Sequence, residues 1–114
     1  MSGILALVSI AACDSSSEQP LAIPPPAPAP ISAVTITIDD LAFSSLPTIT
    51  PGAVVTVVNH DAVRHSVTSR RPGLFDEQVE AYRTITFTAP SEIGSHPFYC
   101  RYHAFMEGWL SIRQ

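Results

Sequence analysis

Alternating apolar and polar residues predict short β-strands from residue 31 onward. The clearest alternation is in Thr84–Thr88, where Ile85 and Phe87 share one face and three threonines share the other. The other blocks of this kind are Ala33–Ile38, Val54–Val58, His65–Thr68, Pro97–Cys100 and Trp109–Ile112. Proline and glycine residues separate these blocks. Residues 31–114 are therefore predicted to form one all-β domain, a two-sheet sandwich in which only Asp76–Tyr82 suits a brief helical turn.

The first 12 residues contain a short apolar run, Ile4–Ala12, that ends directly before Cys13. Ile10-Ala11-Ala12-Cys13 resembles the lipobox of bacterial lipoproteins, which implies that residues 1–12 are a signal peptide and that Cys13 is lipidated. The run is too short to span a bilayer, which takes about 20 apolar residues. No arginine or lysine precedes it, unlike in most export signals, and the alternative is a chance apolar start on a cytosolic protein.

Residues 13–30 are predicted to be a disordered linker, because they are rich in serine and then in proline. A proline run such as Pro24–Pro30 extends by about 3.1 Å per residue and acts as a stiff spacer. We expect this linker, anchored through Cys13, to hold the domain on a bacterial membrane outside the cytoplasm, in the periplasm or a similar compartment. The alternative for the proline run is a ligand of proline-recognising modules.

Charge and cysteine content narrow the possible partners and cofactors. Ten acidic residues against six arginines and no lysine give a net charge of −4, and nothing in this charge suggests binding to the nucleic-acid backbone, which needs clustered cations. The chain has two cysteines, and a disulfide between Cys13 and Cys100 is one possibility in an exported protein. The sequence favours separate roles, because the linker separates Cys13 from the domain, whereas Cys100 lies among histidine and methionine residues.

Four potential metal ligands stand out in the predicted domain. Cys100, His103 and Met106 follow one another at three-residue intervals after a strand, and His65 comes from another strand. Two imidazoles, a thiolate and a weak thioether suit a copper ion used in electron transfer. Zinc is the competitor, but its structural sites use four Cys or His donors, so Met106 favours copper. The alternative is a sandwich with a buried cysteine, a core methionine and surface histidines, as in adhesion domains.

The remaining two domain histidines are less suitable as ligands. His96 is four residues before Cys100 along a strand, which separates the two by about 13 Å, too far for them to share one ion. His60 is closer to His65 in sequence, and spacing alone does not exclude it.

The segments Pro51–Asn59, followed six residues later by His65, and Phe98–Gly108 resemble the cupredoxins, in particular their amicyanin-like and plastocyanin-like members. The resemblance covers nearly all of residues 31–114 and implies a Greek-key β-sandwich with one type 1 copper ion. It assigns the metal ligands as His65, Cys100, His103 and Met106, and leaves His60 out. It also implies that Asn59 ties the first ligand strand to the cysteine loop. Arg64 and Ala104 depart from the pattern, since amicyanin-like sequences have prolines there, and Arg101 follows the cysteine.

The resemblance implies a monomeric one-electron carrier that is not an enzyme and exchanges electrons with a donor and an acceptor protein. The alternative is a copper-binding protein for delivery or tolerance. We expect electrons to leave through His103, with Phe105, Trp109 and Arg101 as docking residues. The alternative for Trp109 is a ring lying flat over its strand. Arg64 and Arg101 adjoin ligands, whereas the acidic residues lie elsewhere in the sequence, so we also expect the metal end to be positively charged. These acidic residues are Asp39, Asp40, Asp76, Glu77 and Glu80.

Overall fold

The computed structural model describes residues 25–114 and contains eight β-strands in this range. They are β1 (Ile31–Asp39), β2 (Ala42–Phe43), β3 (Ile49–Asn59), β4 (His65–Ser69), β5 (Asp76–Val79), β6 (Thr84–Thr88), β7 (Gly94–Cys100) and β8 (His103–Ile112). The described residues form no helix that is long and apolar enough to cross a membrane. The all-β prediction is confirmed, whereas Cys13 and the predicted signal peptide lie outside the described residues.

The strands form a sheet that folds over into two layers. Its order is β2-β1-β3-β8-β7-β4-β5, and β6 pairs with β3. Within residues 25–114, β3 and β8 meet at the single pair Ile49–Ile112, so the layers are β2-β1-β3-β6 and β8-β7-β4-β5. The chain passes from β3 in one layer to β4 in the other, and then returns to β3 through β6. This connectivity confirms the Greek-key sandwich.

The core lies between the layers, where the apolar side chains of alternating strand positions meet. Its fully buried members include Ile36, Ile38, Ile49, Val55, Val57, Val67, Val79 and Phe98. Aromatic rings connect the two layers: Phe43 and Phe98 meet edge to face at 4.9 Å between centroids, and Phe75 stacks on Phe87 at 5.5 Å. As predicted, Ile85 and Phe87 face this core while the threonines of β6 are exposed.

The predicted helical turn at Asp76–Tyr82 is wrong, because Asp76–Val79 is strand β5. All five residues of β4 are buried, and their backbone groups need hydrogen-bond partners on both sides. Strand β7 pairs with one edge of β4, and β5 pairs with the other through the register His65–Val79 to Thr68–Asp76. The short strand β2 was also not predicted.

Two ends of the sandwich can be distinguished. At one end Ile31 pairs with Ile49, which also pairs with Ile112, and Arg113 Nη2 donates a hydrogen bond to the Pro28 carbonyl at 2.8 Å. The proline-rich segment therefore enters beside the end of β8. Strand β8 begins at the opposite end, at His103, and His65 lies at that same end.

Candidate metal centre

Three donor atoms converge at the end of the sandwich where β4 and β8 begin and β7 ends. Cys100 Sγ lies 3.6 Å from His65 Nδ1 and 3.7 Å from His103 Nδ1. The nearest donor atoms of the three residues are all within 4.8 Å of one another. His65 and Cys100 are fully buried, whereas His103 is partly exposed. The structure therefore brings together three of the four residues predicted as ligands around one point.

The strand pairing explains how residues 35 positions apart meet. Strands β4 and β7 are antiparallel neighbours, so the start of β4 lies beside the end of β7. The register between β7 and β8 shifts at Tyr99 and Cys100, and Cys100 pairs directly with His103 across a tight two-residue turn. Because the turn leaves only Arg101 and Tyr102 between the two donors, the thiol and the imidazole face the same space.

The spacing and chemistry of these donors fit a bound metal ion. A metal with bonds of about 2.3 Å to sulfur and about 2.0 Å to nitrogen, at an angle of about 110–120°, separates the two donors by about 3.5–3.7 Å. The measured sulfur-to-nitrogen distances of 3.6 and 3.7 Å agree with this separation. Two imidazoles with one thiolate form the trigonal set that suits copper.

Met106 is 2% exposed and lies on the inward face of β8, in alternation with the buried Leu110 and Ile112. Its thioether adds a soft, weak donor to this end of the core, which fits copper better than zinc.

Asp61 holds the buried ligand candidate His65 and was not identified from the sequence. Its Oδ2 atom is 2.8 Å from His65 Nε2, which orients the ring so that Nδ1 faces Cys100. The carboxylate also accepts hydrogen bonds from the N–H groups of Asp40 and Leu41, whose φ angles of 52° and 59° turn those groups toward it. Burial acts to raise the pKa of Asp61, but the hydrogen bonds from Leu41, His65 and Asp40 outweigh it and lower the pKa.

Ser66, rather than Asn59, ties the first ligand strand to the cysteine loop, so the role expected for Asn59 is corrected. The Ser66 N–H group lies 3.4 Å from Cys100 Sγ and donates to it, and Ser66 Oγ accepts a hydrogen bond from the Arg101 N–H at 2.8 Å. Asn59 is buried, and its amide donates to the carbonyls of Val63 and Glu80. Its own carbonyl accepts from the Asp61 N–H, so Asn59 shapes the turn that carries Asp61.

The structure places the other two histidines outside the donor cluster. His60 is exposed, and its backbone N–H donates to the Ile38 carbonyl. His96 is buried in β7, and its Nε2 lies 2.8 Å from the Glu92 carbonyl. His96 is thus outside the cluster of described donors, as its spacing from Cys100 predicted.

The residues predicted to form a docking surface lie in two separate places. Phe105 is 69% exposed, and its ring meets that of His103 edge to face at 6.0 Å. Trp109 is 55% exposed but lies six residues from His103 along β8, beside a groove lined by Phe43 and Leu46. The structure thus keeps Phe105 at the donor cluster and places Trp109 away from it.

The prediction that the metal end is positively charged is wrong. Arg101 Nε lies 2.9 Å from Asp76 Oδ1, and Arg64 Nε lies 3.1 Å from Glu80 Oε1. Both acidic residues were expected to lie away from the ligands, but β5 brings them alongside. The charges of the two arginines are therefore neutralised by neighbours.

Solved structures of amicyanin have a similar fold. A point mutant of amicyanin in the reduced Cu(I) form at pH 4 has a TM-score of 0.60 and 20% identity, covering 75% of this chain and 86% of that chain. Amicyanin from Paracoccus versutus (Thiobacillus versutus) has a TM-score of 0.58 and 24% identity, covering 75% of this chain and 85% of its own. No protein-family model matches the chain, and no curated protein matches it. The chain thus has the cupredoxin fold, with its cluster of two histidines and one cysteine at one end of the sandwich.

Proposed function

We propose that this chain is a blue (type 1) copper protein that carries single electrons between redox partner proteins. The observation that supports this most strongly is the convergence of one buried thiol and two imidazole Nδ1 atoms at 3.6 and 3.7 Å. When bound there, copper supplies one-electron chemistry by alternating between Cu(II) and Cu(I). The proposed ligands are His65, Cys100, His103 and Met106.

The proposed role of the protein is to hold these donors in place while the electron passes. His65 is fixed by Asp61, and the Cys100 sulfur accepts a hydrogen bond from the Ser66 N–H, which stabilises a thiolate. All four proposed donors lie in β-strands, and three of them, His65, Cys100 and Met106, are buried, so the site resists rearrangement. A rigid donor set suits electron transfer and retention of the metal better than its release to another protein.

Electron exchange is proposed to take place through His103 and the exposed Phe105 ring beside it. His103 is the one partly exposed member of the three-residue cluster, and Phe105 presents an apolar surface next to it. Small apolar surfaces of this kind suit the weak, short-lived complexes of redox proteins.

The carrier is further proposed to be a monomer tethered to a bacterial membrane, outside the cytoplasm, through lipidated Cys13. The support is the sequence Ile10-Ala11-Ala12-Cys13 and the serine- and proline-rich segment that follows. Membrane fractionation tests the anchor, since Cys13→Ala should shift the protein to the soluble fraction or block its processing. An unchanged membrane fraction would exclude this anchor.

The copper proposal is tested by visible spectroscopy of the copper(II)-loaded protein. A short bond to the Cys100 thiolate should give an intense sulfur-to-copper charge-transfer band, which Cys100→Ser and His65→Ala should abolish. His60→Ala is the matched control, because His60 lies outside the cluster and its loss should leave the colour intact. An intense band that survives Cys100→Ser would refute the proposed site. Rapid loss of copper to a chelator, without reversible redox cycling, would instead favour a delivery protein.

A further inference from the structure

Edge strand β5 presents a row of polar side chains to the residues that flank the proposed ligands. Asp76 Oδ1 accepts a hydrogen bond from Arg101 Nε at 2.9 Å. Gln78 Oε1 accepts one from the Tyr102 hydroxyl at 2.6 Å. Asp76 and Gln78 alternate with the buried Val79 along the strand, so both lie on its outward face.

Glu80, directly after β5, continues the row. Its Oε1 atom accepts from Arg64 Nε at 3.1 Å, and its Oε2 atom accepts from Gln78 Nε2 at 2.6 Å. The polar row Asp76, Gln78 and Glu80 is therefore linked internally as well as to its partners.

The partners of the polar row also contact one another. The guanidinium carbons of Arg64 and Arg101 lie 5.7 and 5.2 Å from the centre of the Tyr102 ring, within the range of cation–π interactions. Arg101 Nη1 also donates a hydrogen bond to the Tyr102 hydroxyl at 3.3 Å. Arg64 immediately precedes His65 in sequence, while Arg101 and Tyr102 make up the whole turn between Cys100 and His103.

A second set of hydrogen bonds connects the row to the turn through β4. Asp76 Oδ1 accepts from the Thr68 hydroxyl at 2.8 Å, and the Thr68 and Ser66 hydroxyl oxygens are 2.8 Å apart. Ser66 Oγ in turn accepts from the Arg101 backbone N–H. The closed circuit Asp76, Thr68, Ser66, Arg101 therefore holds both the side chain and the backbone of the residue after Cys100.

We propose that Asp76, Gln78 and Glu80 are positioning residues that hold the Arg101–Tyr102 turn and thereby fix His103 relative to Cys100. The inference rests on the proposed copper function for its purpose, whereas the restraint on the turn is a property of the chain itself. Ion pairs at the surface contribute little to global stability, so the effect of the row is local. Asp76 and Gln78 contact two consecutive residues, Arg101 and Tyr102, which form the shortest covalent path between two proposed ligands. Glu80 acts on the same turn indirectly, through Gln78 and through Arg64, which lies over the Tyr102 ring.

Order in the turn is measured first, by NMR relaxation of the full-length metal-free protein. In the triple variant Asp76→Asn, Gln78→Met, Glu80→Gln, the backbone order parameters of Arg101, Tyr102 and His103 should fall from the rigid range of about 0.85 toward about 0.6. The melting temperature should stay close to that of the wild type. Order parameters that remain at the wild-type level would overturn the proposal. If the triple variant does not fold, the same order parameters are measured in the single variant Tyr102→Phe, which loses the hydroxyl and keeps the ring. Wild-type values in that variant would likewise overturn the proposal.

Two matched controls test whether the effect belongs to the polar row. Glu92→Gln breaks the ion pair with Arg71, which is about as exposed as the Arg64–Glu80 pair but lies away from the proposed ligands. Tyr82→Phe removes the hydroxyl of an exposed tyrosine that makes no side-chain hydrogen bond to another described residue. Both controls should leave the order of the turn unchanged, and an equal loss of order in either would also overturn the proposal.

The second measurement uses the copper-loaded protein. The triple variant should bind copper but show a broadened or shifted charge-transfer band and an altered reduction potential, while both controls match the wild type. A triple variant with the wild-type band and potential would overturn the positioning role. A wild-type protein without the band would refute the copper function instead, and the NMR measurement would still decide whether the row holds the turn.

Discussion

The Asp61 carboxylate joins the β1–β2 turn to the metal centre, because the same group accepts hydrogen bonds from Asp40, Leu41 and His65. Replacing it by asparagine removes an oxygen that accepts from the imidazole and leaves the ring less firmly oriented. Loss of such partners of metal-bound histidines typically weakens metal binding by about 10–100-fold. We therefore expect Asp61→Asn to bind copper more weakly in a competition titration, by a factor in this range. Asp39→Asn, a nearby exposed change, is the control, and equal affinities of the two variants would contradict the role of Asp61.

Met106 is expected to tune the reduction potential rather than to retain the metal. A thioether is a soft, weak donor that favours Cu(I), whereas an amide oxygen is harder and favours Cu(II). Met106→Gln should therefore keep copper and lower the midpoint potential measured by voltammetry. A potential equal to that of the wild type would show that the side chain does not reach the metal.

The sequence predicted the convergence of His65, Cys100 and His103, because residue type, order and spacing restrict such donors strongly. It did not predict Asp61, since an aspartate four residues before a histidine is also typical of an ordinary turn. It also attributed the contact between the first ligand strand and the cysteine loop to Asn59, whereas Ser66 makes this contact. Which polar side chain reaches a neighbouring strand depends on strand register and backbone approach, and neither can be obtained from residue type alone.

Among the strand elements, β8 depends on a glycine at its closest approach to the core. A methyl group added at Gly108 would lie within 2.8 Å of Phe98 Cε1 and still closer to Cζ. The Phe98 ring has little freedom to move, because it is fully buried and packs against Phe43 and Phe75. Overpacking of this kind typically costs about 1–3 kcal/mol.

We expect Gly108→Ala to lower the free energy of unfolding of the metal-free protein by this amount in a denaturant titration. Ser111→Ala, on the exposed face of the same strand, is the control and should change it by less than about 0.5 kcal/mol. A Gly108→Ala protein as stable as this control would show that the Phe98 ring can move aside.

Most strands were predictable, because the alternation in Thr84–Thr88 and similar blocks reflects burial on one face. Strand β5 was not, since Asp76-Glu77-Gln78 is polar and has no apolar alternation before Val79. Its extended conformation comes from pairing with β4, whose edge would otherwise lack a partner. Long-range pairing thus overrides the local sequence signal.

At the scale of the whole molecule, the carboxylates that pair with arginines should make the stability of the fold depend on pH in the acidic range. Arg101 and then Thr68 lower the pKa of Asp76 from its ordinary value of 3.8. Arg64 and Arg71 lower the pKa values of Glu80 and Glu92, respectively, from 4.5. Groups with a lowered folded pKa contribute stability above their unfolded values, and this contribution is lost as the pH falls through the folded values.

The melting temperature of the metal-free protein should therefore fall as the pH drops below about 4.5, toward pH 2. Because exposed ion pairs contribute little each, the double variant Glu80→Gln, Glu92→Gln should show a slightly shallower fall. Glu77→Gln, which breaks no ion pair among the described residues, should retain the wild-type slope. Equal slopes in all three proteins would mean that these ion pairs do not contribute to stability.

The fold class and the position of the candidate site follow from strand pattern and motif, but the charge distribution does not. Arg64 and Arg101 look unpaired in the sequence, because their partners Glu80 and Asp76 are 16 and 25 residues away. These partners meet the arginines only after β5 pairs with β4. Net charge is a property of composition, whereas local charge is a property of the folded chain.

The proline-rich segment joins the sandwich at Ile31, at the end opposite the candidate ligands. Strand β1 runs from Ile31 to Asp39, close to the turn that Asp61 holds, so about 26 Å of strand separates the linker from the ligand end. With the proposed anchor at Cys13, His103 and Phe105 would face away from the lipid surface. Freely diffusing partners would then reach this face directly. A partner embedded in the same bilayer would need a domain that extends far from the membrane, or the carrier would have to rotate on its linker.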